Sequence, residues 1–122
     1  MKLYLNNNQM PATELVFSAE GKLPEVAVLK NVKFTYETDS DGKHTEKIIA
    51  IRYECVDPET FASFTIKVNG GKAVITPEQL EETEELVYIE IPVKDTLIKP
   101  YAIEYGMAKV SIIAPYIKLH KE

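Results

Sequence analysis

Most of this chain alternates apolar and polar residues with a period of two, the signature of strands that bury one face. The pattern is clearest in segment 25–37, EVAVLKNVKFTYE, where Val32, Phe34 and Tyr36 share one face and Lys33 and Thr35 the other. Around Leu29, Lys30 and Asn31 the alternation breaks, which predicts a β-bulge. Segment 47–56, KIIAIRYECV, places Ile49, Ile51, Tyr53 and Cys55 inward and Ile48, Ala50, Arg52 and Glu54 on its other face. Segment 61–68, FASFTIKV, sets Ala62, Phe64, Ile66 and Val68 against Ser63, Thr65 and Lys67. Residues 87–93 turn Val87, Ile89, Ile91 and Val93 inward, with Pro92 marking an edge or a bend. The closing stretch MAKVSIIAPYIKL does so with Ala108, Val110, Ile112 and Ala114, and Pro115 ends it. Two short strands, in KLYL and ELVFS, are expected near the start. The expected shared core is therefore Phe34, Ile49, Ile51, Phe64, Ile66, Ile89, Val110 and Ile112.

Turn chemistry separates these segments. TDSDGKHT has Asp and Ser to cap local amides and Asp41-Gly42 to accept positive φ. Asn69-Gly70-Gly71 signals a hairpin into KAVI. Segment 76–86, TPEQLEETEEL, reads as one short helix near 77–85, with Thr76 as N-cap, Pro77 in the first turn and Gln79 closing a capping box. Leu80 and Leu86 are the side chains available to dock it. Residues 94–106 fit a loop or a distorted strand. The sum is a single mostly β domain over 1–122, a small closed or half-closed barrel of the oligonucleotide/oligosaccharide-binding (OB-like) kind with one short helix. A β-sandwich is the alternative, and strand count alone does not separate the two.

Composition changes this picture in two ways. Apolar residues make up 45% of 122, enough for one core, but no run is long enough for a transmembrane helix. The first residues hold no apolar run of the signal-peptide kind, so the expected location is cytoplasmic, away from membranes. Net charge is −5, yet six glutamates (78, 81, 82, 84, 85 and 90) crowd residues 76–90, where there is no base. Without them 14 bases face 13 acids. Net charge is thus a poor guide to any one face.

Catalytic chemistry is missing from the pattern. His44 and His120 stand alone, and Cys55 is the single cysteine, placed to pack as a small hydrophobe. No spacing matches a zinc site, a phosphate loop or a hydrolase triad, and Asp39-x-Asp41 lacks the rest of a calcium loop. The expectation is a non-enzyme with no metal and no cofactor. What remains is a set of charges. Lys33, Arg52, Lys67 and Lys109 each lie on the polar parity of a different strand, with Thr35, Ser63, Thr65 and Ser111. On neighbouring strands they form a basic strip of the kind that tracks a phosphate backbone. The plainer reading is that such lysines keep a sheet soluble and block edge pairing. Arg52, the one arginine, then forms a cross-strand ion pair, with Glu37 as a partner. Tyr88, Tyr101, Tyr105 and Tyr116 are the tyrosines free to be exposed.

LVFS near the start, the Asp-Gly turn, the following RYE and the closing YGMAKVSIIAPYIKL together resemble a family of small proteins of Gram-positive integrative conjugative elements. That family was first catalogued as a domain of unknown function. The resemblance implies a non-enzymatic role in mobile-element DNA replication or transfer, and some members act as helicase processivity factors. It implies single-stranded DNA and a host helicase as partners, and Arg52 as a DNA or partner contact. Two departures stand out. Residues 56–60, VDPET, replace a Ser/Gln-rich segment, and the acidic helix has no counterpart in the family pattern. The alternative is an acidic interaction or DNA-mimic module, in which Glu78, Glu81, Glu82, Glu84 and Glu85 contact a basic protein.

Overall fold

The computed structural model describes residues 15–70 and 72–120. The KLYL segment lies outside the described residues. In chain order the elements are β1 (Phe17–Ser18), β2 (Val26–Thr38), β3 (His44–Val56), β4 (Ser63–Asn69), α1 (Pro77–Glu82), β5 (Val87–Glu90), β6 (Leu97–Glu104), β7 (Met107–Ala114) and β8 (Lys118–Leu119). All eight strands join one sheet in the order β1-β6-β7-β4-β3-β2-β5-β8. The protein is therefore mostly β with one short helix, as the alternation predicts. It has a single sheet where a sandwich has two.

The connections show that this sheet cannot be flat. β7 and β8 lie five strand positions apart, which in a flat sheet is about 24 Å. Ala114 and Lys118 are joined by so short a link that the chain spans at most about 14 Å. The sheet must roll until those strands approach. Closure is not completed among the described residues, because β1 and β8 stay unpaired with each other. The rolled inner face holds Ala27, Leu29, Val32, Ile51, Tyr53, Cys55, Ile66, Ile89, Ile112 and Ala114.

Two β-bulges set which side chains reach that core. The one at Lys30 falls where the sequence breaks its alternation: Leu29 pairs with Cys55 and Asn31 with Glu54. The second has no such mark in the sequence. Thr35 pairs with Ala50 and Tyr36 with Ile48, so Ile49 is the extra residue. Parity flips there. Ile48 packs against the core, while Ile49, expected to be buried, is 44% exposed.

Further corrections follow from the topology. Val110, placed in the expected core, is 40% exposed. β7 pairs with β4 only through Ile112, Ile113 and Ala114, so Val110 lies where the strand has left the sheet body. Ala108 is exposed for the same reason. Phe34 and Phe64 pack against the core but are only partly buried. Segment 94–106 holds β6, which pairs with β7 as a hairpin. Tyr105 and Gly106, with φ of 51° and 77°, turn it, the left-handed pair of a two-residue hairpin turn. KAVI is not a strand. It crosses the core instead, and Val74 N donates to the Tyr53 hydroxyl at 3.2 Å. The helix ends at Glu82, earlier than expected, and the Thr83 N–H caps it on the Leu80 carbonyl. Leu80 packs against the core, but Leu86 is exposed and docks nothing.

Candidate functional site

The outer face of the sheet gathers three of the four predicted cations. Lys33 on β2 pairs with Arg52 on β3, and Arg52 pairs with Lys67 on β4. They form one row directly across three neighbouring strands. Directly opposite residues have β-carbons about 5 Å apart, and like charges so placed destabilise a sheet. The structure offsets this only in part. Lys33 Nζ lies 3.1 Å from Glu54 Oε1. No carboxylate pairs with Arg52 or Lys67 among the described residues. Glu37, the expected partner of Arg52, pairs with Lys47 instead.

Lys109 does not join the row. It sits opposite Ala102 on the β6–β7 hairpin, and its ammonium lies 3.5 Å from Glu104. It is thus displaced from the row by its register, and its ion pair lies within the hairpin. The strip has three cations, not four.

Beside the row the sheet opens. β4 and β7 pair only over Ile66–Val68 and Ile112–Ala114, so Ser63–Thr65 and Met107–Ser111 diverge. A groove of about 470 Å³ results, lined by Lys33, Arg52, Glu54, Thr65, Lys67, Tyr101 and Ser111 with edges of Val110 and Ile112. Pro100 pairs with Val110 and Ala102 with Lys109, which leaves Tyr101 as an extra residue in β6. Bulges re-aim side chains, and Tyr101 is 58% exposed on the groove wall. Glu54 is the one acid in the lining. The Lys33 ammonium hydrogen-bonded to it holds its carboxyl below the usual carboxylate range. Asn31 adds a second hydrogen bond, and burial works against both.

Sequence reasoning placed Thr65 and Ser111 on the right face. It put Glu54 on the same face as Arg52 too, but it did not bring Tyr101 to the site. The missing signal was Tyr105-Gly106, which read as a hairpin turn gives the register of β6 on β7. Lys99, opposite Ser111 on the same face, was missed for the same reason.

The predicted acidic set is elsewhere. Glu78, Glu81, Glu82, Glu84 and Glu85 are all exposed and form no ion pair among the described residues. Their helix and the segment before it pack over the inner face, through Leu80 and Val74. The acids and the cationic row thus belong to opposite sides of the sheet. No group of His, Cys, Asp and Glu side chains suited to a metal ion occurs among the described residues. Cys55 is buried, and desolvation, with Glu54 nearby, pushes its thiol up to about 12. A thiol so protonated is a poor nucleophile. Among the described residues no helix is long and apolar enough to cross a membrane. Comparison of the chain with protein-family models, with curated proteins and with solved structures finds no match.

Proposed function

We propose that the protein is a non-enzymatic accessory factor that holds single-stranded DNA on the outer face of a rolled, half-closed OB-like sheet. The carrying observation is the row Lys33-Arg52-Lys67. A sheet that needed only solubility gains nothing from three cations set directly opposite one another. Their mutual repulsion makes sense when an anion lies across them. A guanidinium at the centre offers bidentate contact to phosphate, and the flanking ammonium groups add point charges. The resemblance to conjugative-element proteins gives this reading its setting, replication or transfer of mobile-element DNA in the cytoplasm beside a host helicase.

Binding is weak at physiological salt, because few cations contribute, and it strengthens as salt falls. Fluorescence anisotropy of a labelled oligonucleotide across a salt series tests this. Arg52→Ala lowers affinity and leaves the fold intact, since the side chain is exposed. Lys67→Ala flattens the salt dependence by about one charge. The reading fails if native protein does not bind at low salt, or if the Arg52 variant binds equally well. Either result favours the acidic module, in which the exposed glutamates of α1 and the residues after it meet a basic protein.

A further inference from the structure

We infer that Tyr101 is a base-stacking platform, and that the single strand crosses the sheet from β2 toward β6 with one base lodged in the groove against that ring. The inference rests on the DNA-binding reading and specifies its site. Three observations carry it. The ring stands on the wall of a groove that also holds three cations and two hydroxyls. It is mostly exposed, although it sits in a strand whose neighbour Pro100 is buried. The extra residue in β6 is Tyr101 itself, so the bulge that breaks the ladder is also what presents the ring. Val110 and Ile112 edge the same groove, yet the ring stays 58% exposed beside them, and no second ring packs on it among the described residues. The one aromatic pair among the described residues, Phe34 with Tyr36, lies on β2, on the inner parity.

The dimensions fit a short strand. From β2 through β3, β4 and β7 to β6 is four strand spacings, about 19 Å. The cationic row takes the backbone at one end. The groove, open because β4 and β7 part, admits an unpaired base at the other. Thr65 and Ser111 add hydroxyls to its lining. A duplex cannot use this site, because its bases are not free to stack. The footprint is about four nucleotides, the short end of the range for single-strand binders of this size.

The chain has no tryptophan, so Tyr101→Trp introduces a unique reporter at the site. On titration with an oligothymidylate at about 50 mM salt, its fluorescence is quenched in step with the anisotropy change. Tyr101→Ala lowers affinity roughly tenfold with an unchanged salt slope, since no charge is removed. Tyr101→Phe restores it. Quenching is absent with a matching duplex and with an abasic strand. Unquenched indole fluorescence in the Tyr101→Trp variant and undiminished binding by Tyr101→Ala, with Arg52→Ala still impaired, would overturn the stacking role and leave the DNA-binding reading standing. Failure of native protein to bind any strand at that salt overturns both.

Discussion

Ile49 and Ile51 are chemically identical and two residues apart, yet only Ile51 reaches the core. The difference is one bulge. Truncating Ile51 to Ala should cost about 2–5 kcal/mol, and Ile49→Ala about 1 kcal/mol or less, because its side chain keeps much of its contact with water. Chemical denaturation of the two variants checks this, and equal losses would mean that the parity does not flip at Ile49. The sequence could not show it, since Ile48-Ile49 in tandem satisfies either phase of the alternation. The Lys30 bulge was legible because the register visibly breaks there. Glu54 carries a second prediction at this scale. Its carboxyl is held below its unfolded value by Lys33. The resulting stability is present above the unfolded carboxylate range and is lost as pH falls through the lowered folded value. Glu54→Gln should remove that part of the acid-side loss, a small one for so exposed a pair. The same substitution takes the one carboxylate out of the groove lining, so it should also tighten oligonucleotide binding at low salt. Unchanged or weaker binding would argue that no anion enters the groove.

Among the elements, the start of α1 was legible nearly to the atom but its end was not, and of the β6–β7 hairpin only β7 was read as a strand. The capping box is read from residue types alone, and both of its bonds form. Gln79 N donates to Thr76 Oγ1 at 3.1 Å, and Thr76 N to Gln79 Oε1 at 3.0 Å. Thr76→Ala should cost about 1 kcal/mol, measured by thermal or urea unfolding, and a loss near zero would mean that the helix contributes nothing to the folded state. The hairpin was obscured because its exposed tip carries apolar residues, Ile103, Tyr105 and Met107, where a solvent-facing hairpin usually shows polar alternation. Its position decides its dynamics. Before Ile112 β7 has only β6 as a partner, and a two-stranded ribbon is marginal by itself. Backbone amides of residues 101–110 should therefore exchange with solvent well before those of residues 51–55, which are paired on both sides. Native-state hydrogen exchange reads this directly. Equal protection would mean that the hairpin opens only with the whole domain, and that the groove wall is as rigid as the core.

At the scale of the molecule, the puzzle is a net charge of −5 on a protein read as a DNA binder. The topology resolves it by separation. The row Lys33-Arg52-Lys67 is on the outer face of the sheet, while the acidic helix packs over the inner face. A packed core layer is about 10 Å thick, already more than the Debye length of about 8 Å at physiological salt. An anion approaching the row there feels the row far more strongly than the helix. At about 0.01 M salt the Debye length reaches roughly 30 Å, and the glutamates repel the same anion across the whole domain. Replacing Glu78, Glu81 and Glu82 together by Gln should therefore leave oligonucleotide affinity unchanged near physiological salt and raise it only at low salt. Arg52→Ala should weaken binding under both conditions. The two variants thus separate a local contact from a long-range field. If the triple Gln variant instead bound more tightly at every salt concentration, the helix would have to lie within contact distance of the strand, and the acids and the cationic row would share one surface.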